Sequence, residues 1–421
     1  MTCTPLVRTL GGGAAPERRL LIQLARLGDV VQSLPAYCGI RAANPGAQID
    51  VLCASALAPI AETFPGVGHV LGWDGLRWRN WGCRWETDAS AVQEEAGRYM
   101  GDLVPHRYDV AYNLNQHARA ITAAHLCAAC VQGPGLDGVL TSTLPPWATY
   151  LRTIAVERGE NRVHLADAFC GLCGVRPPAN PPQLTVLHTE LPHDLAAVGE
   201  RDGMWVAVVL GAGDRERVIP GSVWKEWIVE FLQSMATGQI LLIGTGMERE
   251  VARAIQDDLT GLQLGRVWDA TGRLSLRQLA ICLQRCAWVL GADTGPLHLG
   301  AAVGARAMGW YVARARAHET GPYGSGHMVW QWQSVTGGPA PHRRDYQLRP
   351  CTQQAWPIRE SVALLLSGTC EIGLEGWSLL RSHFDDWGTY YTAADENGSS
   401  ISLQRKDVWT RLHLEPTDIQ R

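Results

Sequence analysis

An α/β chain with two parallel-sheet halves is what this sequence predicts, on three observations. Short apolar runs alternate with helical stretches from residue 20 onward, the pattern of repeated β-α-β units. Two of those runs end in a glycine and an acid that open a helix, at Gly28-Asp29 and at Gly291-Ala292-Asp293-Thr294-Gly295. The alternation stops at Pro177-Pro178-Ala179-Asn180-Pro181-Pro182 and then restarts. Ligands of open α/β folds bind at the carboxyl edge of the strands, so two such edges predict an enzyme with a site in the cleft between two domains.

Each element has its own signal. Residues 20–25 read as a buried strand and 49–53 as a second, with Pro45-Gly46 punctuating the join. His69-Val70-Leu71-Gly72-Trp73 is a third strand. Tyr108-Asp109-Val110-Ala111-Tyr112-Asn113-Leu114 is a fourth, followed by a helix from about Arg119. After the proline-rich linker, residues 204–210 form a strand ending in Gly211-Ala212-Gly213. Ile240-Leu241-Leu242-Ile243 ends in Gly244-Thr245-Gly246 before a helix from Glu248 to Leu259, and Trp288-Val289-Leu290 leads into the Asp293 turn. Beyond residue 340 the pattern weakens. Residues 361–366 suggest a helix closing the second domain, 377–392 suggest β structure, and 394–400 read as a turn.

Composition narrows the function classes. The 421 residues are 46% hydrophobic and 19% charged, which predicts packed domains rather than disorder. A net charge of −4 argues against a nucleic-acid partner. No apolar run reaches the roughly 18 residues a membrane span needs. Residues 1–19 are Gly-rich, lack the apolar core of a signal peptide and end in Arg18-Arg19, so a loose leader on a cytoplasmic protein is expected. The twelve cysteines are then reduced thiols. Two pairs, Cys127/Cys130 and Cys170/Cys173, have C-x-x-C spacing. Zinc is one reading; small apolar residues on two apolar helices is the plainer one.

The turns carry the chemistry. Asp29 suits a helix N-cap, and Asp293 or Thr294 does so too, with Pro296 in the first turn. The same geometry suits a diphosphate: the N–H groups near Thr294 and Gly295 and the helix dipole favour an anion, and glycine lets it approach the backbone. His298 lies one turn further along. The stretch from Trp73 to Trp85 interleaves Trp73, Trp78, Trp81 and Trp85 with Arg77, Arg79 and Arg84. It is either a surface loop whose indoles pack on the domain or a reader of a glycan or protein acceptor.

Two stretches resemble the signatures of glycosyltransferase family 9, the ADP-heptose:lipopolysaccharide heptosyltransferases and their relatives. They are Leu27-Gly28-Asp29-Val30-Val31-x-x-Leu34-Pro35-Ala36 and Asp293-Thr294-Gly295-Pro296-Leu297-His298-Leu299-x-Ala301-Ala302-x-Gly304. The likeness runs from about residue 20 to about 335 and takes in residues 108–114 and 244–252. It implies the GT-B fold: two Rossmann-like domains with parallel sheets facing across a cleft, here with a C-terminal extension. The expected divisions are a leader at 1–19, an acceptor-side domain at 20–180, a nucleotide-sugar domain at 181–345 and an extension at 346–421.

By position, the resemblance makes Asp29 the general base of an inverting transfer. It puts Arg217 on the donor phosphates, Glu248 on the donor ribose, and Asp293, Thr294, Gly295 and His298 at the diphosphate and sugar. Gly213 belongs to the phosphate-side loop. Arg26 and Arg119 are candidate contacts to an anionic acceptor. The family usually has lysine at Arg217 and tryptophan at Ile219, and the loop 210–213 lacks the hydroxyl or histidine side chains often found there. Some relatives carry a four-cysteine iron site; this tail offers only Cys351 and Cys370, so no metal site is expected. The chain has no D-x-D pair, the usual diphosphate-metal holder of the other major transferase fold. Arg217 and the Thr294 helix start then neutralise the leaving group, each preorganised donor being worth about 3–4 kcal/mol in the transition state. The expectation is a metal-independent enzyme without cofactor, using a nucleotide sugar, most simply ADP-heptose. Its acceptor is a lipopolysaccharide core, another surface glycan or a protein, met at the inner face of the membrane.

Two rivals stand. Residues 240–246 begin like a dinucleotide fingerprint with Asp269 downstream, but Arg249 occupies the third glycine position. A catalytically silent nucleotide-sugar-binding or scaffold protein is the other, because fold alone never decides activity.

Overall fold

A computed structural model describes residues 17–104, 106–137, 141–154, 161–186, 188–200, 202–333, 355–371, 373–393, 396 and 398–413. Most of the leader, Cys351, residues 394–395 and Asn397 lie outside the described residues. The chain forms two compact units, one of residues 1–152 and 168–177, the other of 153–167 and 178–421.

The first unit follows the order β1 (Arg18–Gln23), α1 (Leu27–Gln32), α2 (Leu34–Ala43), β2 (Gln48–Ala54), α3 (Ala58–Ala61) and β3 (Val70–Trp73). Next come α4 (Gly75–Arg84), α5 (Ala89–Leu103), β4 (Tyr108–Asn113), α6 (Ala118–Cys127) and β5 (Ala128–Gln132). A short antiparallel pair, β6 (Gly135–Leu136) with β7 (Ser142–Thr143), and helix α7 (Pro146–Ile154) follow, and helix α8 (Leu165–Leu172) is divided, its residues 165–167 belonging to the second unit. All pairings within the order β3-β2-β1-β4-β5 are parallel. Leu20, Leu21 and Ile22 are fully buried, as a strand covered on both faces requires.

The second unit repeats the arrangement at larger scale. It contains β8 (Trp205–Val209), α9 (Gly221–Ser234), β9 (Gln239–Ile243), α10 (Arg249–Asp257), α11 (Gly261–Leu264), β10 (Val267–Asp269), α12 (Leu276–Gln284) and β11 (Trp288–Gly291). Then come α13 (Gly295–Ala302), β12 (Arg306–Tyr311), α14 (Ala317–Thr320), β13 (Met328–Trp332) and α15 (Ile358–Ser367). The last elements are β14 (Trp377–Asp385), β15 (Gly388–Ala393) and α16 (Gly398–His413). The sheet order is β10-β9-β8-β11-β12-β13-β14-β15. Strands β8 to β13 pair in parallel, while β14 and β15 add antiparallel. Both sheets therefore reverse winding direction beside their first strand, between β1 and β4 and between β8 and β11. That reversal opens a crevice at the strands' carboxyl ends.

Helix α9 shows how the second core closes. Val223, Trp224, Trp227, Ile228, Phe231 and Leu232 recur at helical spacing and all are buried. Trp224 stacks on Trp310 of β12 at 4.9 Å, and the Trp310 indole N–H donates to Ser361 Oγ at 3.1 Å. Helix α15 is thereby tied to the sheet, as expected for a closing helix.

Several expectations need correction. Asp29 is not the N-cap of its helix. Arg26 holds that position, and Asp29 sits at the third helical residue. Residues 75–84 are a helix, not a loop: Trp73 stacks on Trp78 at 4.5 Å, and Trp81 is buried and donates to Glu95 at 2.9 Å. Trp85 alone of the four tryptophans is exposed. The packing reading of these tryptophans is the one the contacts support. Cys130 lies on β5, not on a helix. Among the described residues no group of three or more His, Cys, Asp or Glu side chains is placed to hold a metal ion. Ser399 and Ser400, read as part of a turn, begin helix α16.

The tail is part of the second unit. Asp167, fully buried, accepts hydrogen bonds from Tyr323 Oη at 2.7 Å and from the Thr389 N–H at 3.0 Å. Gly388 has φ +94°, and a Cβ there would stand 1.9 Å from Asp167 Oδ1, so only glycine fits. Arg405 of α16, also fully buried, pairs with Asp385 at 3.0 Å. Burial drives the Asp167 carboxyl up to about 8, against the pull of Arg405 and of the two hydrogen bonds. An unfolded aspartate titrates near 3.9. The stability gained by holding this proton is thus complete below about pH 4 and lost as pH rises through about 8. Wild-type protein should lose melting temperature between pH 5 and pH 9 more steeply than Asp167→Asn; parallel curves would refute this.

Candidate active site

In the second unit the reversal lies between β8 and β11. The loop after β8 runs through Gly211, Ala212 and exposed Gly213 to Asp214, whose carboxylate accepts the Glu216 N–H at 3.2 Å. This turn delivers Arg217. The loop after β11 delivers Asp293, and α13 begins at Gly295. Two glycines seat these loops. A Cβ on Gly300 would meet Val289 Cγ2 at 2.6 Å, and one on Gly291 would meet Val209 Cβ at 3.0 Å. Helix α13 therefore lies close against β11.

Three sequence-predicted residues meet here. Arg217 Nη1 donates to the Asp293 carbonyl at 2.8 Å and to Asp293 Oδ2 at 2.7 Å. His298 Nε2 lies 3.2 Å from Asp293 Oδ1. The Asp293 side chain is only 12% exposed and that of Arg217 only 19%. Burial raises the Asp293 carboxyl, but His298 and Arg217 outweigh it and hold the pKa below the ordinary value. Thr294 occupies the N-cap position without a capping side-chain bond. The N–H groups at a helix start lack intrahelical partners, so the turn offers donors beside a guanidinium.

Glu248 lies at the neighbouring strand end. Its carboxylate accepts from Thr245 N at 2.6 Å and from Thr245 Oγ1 at 2.7 Å, a capping box. Cβ atoms on Gly211 or Gly244 would stand 2.7 and 2.8 Å from Glu248 atoms. Those glycines let an acid sit between the ends of β8 and β9. Sequence reasoning missed Tyr311 on β12. Burial, then the charge of Asp293, raises its hydroxyl well above the usual value, and it donates to the Thr320 carbonyl at 2.8 Å. A lone strand tyrosine carries no sequence signal for that proximity to Asp293.

In the first unit Asp29 Oδ2 accepts the Arg26 N–H at 3.1 Å. Arg26 is exposed, as is Arg119 on α6. His117 caps α6 by accepting the Ala120 N–H at 3.2 Å; burial first, then Arg119, lowers its pKa.

Removing the Asp293 carboxylate strips Arg217 and His298 of a shared partner. Asp293→Ala should cost about 1–3 kcal/mol, a drop of a few degrees in melting temperature. An unshifted melting curve would refute the pairing.

Comparison with solved structures places the fold. A glycosyltransferase family 9 structure from Veillonella parvula aligns with TM-score 0.57 and 18% identity, covering 77% of this chain and 90% of that one. The E. coli heptosyltransferase WaaC with ADP aligns with TM-score 0.56 and 21% identity, covering 74% and 92%. E. coli ADP-heptose lps heptosyltransferase II gives 0.53 and 17%, covering 72% and 87%. These likenesses show the GT-B fold. No curated protein sequence matches. The family model described as glycosyltransferase family 9 (heptosyltransferase) matches residues 98–341, more than half of the chain, and the chain is therefore a member of glycosyltransferase family 9, a glycosyltransferase.

Proposed function

We propose that this enzyme moves a heptose from ADP-heptose to a hydroxyl of a lipopolysaccharide core, surface glycan or protein, with inversion and without a metal ion. Family membership supports sugar transfer. The observation that carries the finer reading is Arg217, held by Asp293, beside the start of α13. A cation and free N–H groups at a helix start suit a nucleotide diphosphate, and the E. coli relative was solved with ADP.

In this reading Asp29 takes the acceptor's hydroxyl proton while that oxygen attacks the anomeric carbon. The bond from that carbon to the diphosphate oxygen breaks, and ADP leaves with the electron pair. An ionised carboxylate offers about four acceptor positions, so the bond from the Arg26 N–H does not exhaust it. Arg217, Thr294 and Gly295 stabilise the charge growing on the leaving group. Glu248 turns to the ribose, His298 faces the sugar, and Arg26 and Arg119 meet acidic groups of the acceptor. Among the described residues no helix is long and apolar enough to cross a membrane. A cytoplasmic enzyme working at the inner face of the membrane is the setting we propose.

ADP release from ADP-heptose, with heptose-deficient lipopolysaccharide as acceptor, tests this. Asp29→Asn should lower kcat by about 10²–10⁴ and leave ADP affinity within about twofold; near-wild-type turnover refutes the base. Arg217→Ala should weaken ADP binding by about tenfold or more. An unchanged dissociation constant refutes that contact.

A further inference from the structure

Three consecutive backbone N–H groups lead from β1 into the Asp29 helix, and each is accepted by a side chain. Leu24 N–H donates to Asn115 Oδ1 at 2.7 Å, Ala25 N–H to Gln23 Oε1 at 3.2 Å, and Arg26 N–H to Asp29 Oδ2 at 3.1 Å. The two amide acceptors are joined, Asn115 Nδ2 donating to Gln23 Oε1 at 2.5 Å. Gln23 is fully buried and Asn115 nearly so. The orientation of Gln23 follows from its neighbours. Flipping its amide would set an NH₂ against two N–H donors.

Asn115 is itself clamped. Its N–H donates to Asn113 Oδ1 at 3.0 Å, and Asn113 Nδ2 donates to the Asn115 carbonyl at 2.9 Å and the Pro134 carbonyl at 2.7 Å. Gly133, at φ +97°, permits that closure, since a Cβ there would stand 2.2 Å from the Asn113 carbonyl oxygen. The amide chain thus runs from a turn after β5, through the end of β4, to the end of β1. It bridges the point where the first sheet reverses.

We propose that Asn115, with Gln23, is a positioning residue for the transfer: it holds the 24–26 turn so that the Asp29 carboxylate is presented at one place. The proposal rests on the reading of Asp29 as the base. A buried amide chain costs free energy wherever a group is unsatisfied; among the described residues Gln23 Nε2 has no partner, so the chain contributes through its acceptor oxygens. An apolar pair would fill the space, but it would leave two turn N–H groups without acceptors. Misplacing a reacting group by about 1 Å costs on the order of 10²-fold in rate.

The test is a double-mutant cycle of Asn115→Ala and Asp29→Asn, read as ADP release from ADP-heptose with heptose-deficient lipopolysaccharide. Asn115→Ala should lower kcat by about 10- to 100-fold with KM for ADP-heptose within about twofold of wild type. The double variant should be no slower than Asp29→Asn alone, because a positioner has nothing to act through once the base is gone. Multiplicative losses would overturn the proposal, as would an Asn115→Ala enzyme with wild-type kcat. Amide hydrogen exchange supplies a readout that does not depend on the base assignment. Asn115→Ala should speed exchange at residues 24–26 about tenfold or more while residues 34–43 keep their protection. Unchanged exchange at 24–26 overturns the proposal. Near-wild-type turnover of Asp29→Asn alongside faster exchange removes the base reading and leaves only a structural clamp, which also overturns it.

Discussion

The candidate site of the second unit is organised around one shared carboxylate. Asp293 stands almost buried at the end of β11, with Arg217 on one oxygen and His298 by the other. Unpaired, that charge would be costly to bury and would repel a diphosphate. Paired, it holds the Arg217 guanidinium at the loop that leads into α13. The glycines at 291 and 300 matter for the same reason: each allows a backbone approach that a side chain would block.

The tail shows a second constraint. Strands β14 and β15 add to the β13 side of the sheet, moving its edge outward, and parallel pairing gives way to an antiparallel hairpin. An uncovered β13 would present unpaired backbone groups and its buried tryptophans. The hairpin also reaches the turn after α14: Tyr391 Oη donates to the Pro322 carbonyl at 2.7 Å, and the Gly324 N–H donates to Thr389 Oγ1 at 2.8 Å. Two buried polar side chains hold the tail: Asp167 of α8, bonded to the Thr389 N–H, and Arg405 of α16, paired with Asp385.

Much of this was legible in the sequence because parallel strands, buried on both faces, read as continuous apolar runs. The runs at 20–22, 205–210 and 240–243 are of that kind. The helix starts near Asp29 and Asp293 were legible because a glycine and an acid after an apolar run mark the passage from strand to helix. What escaped lacked local periodicity. The side-chain partner of Gln23, Asn115, lies just past the end of β4, and nothing in Asn113-Leu114-Asn115 announces that they hold a turn after β1. Residues 75–84 hid a helix behind tryptophan and arginine, whose helix-compatible spacing was outweighed by their unusual composition. Tyr311 gains its meaning only when β12 is laid beside β11. The function of the C-terminal hairpin was invisible because its partner, Asp167, sits far away in sequence.

A crystal structure with ADP bound tests the central claim most directly. The account predicts a phosphate oxygen about 2.7–3.2 Å from Arg217 and from the N–H of Thr294 or Gly295, with the Arg217–Asp293 contact kept. A diphosphate seated at another strand edge, out of reach of both the guanidinium and the α13 start, would contradict it.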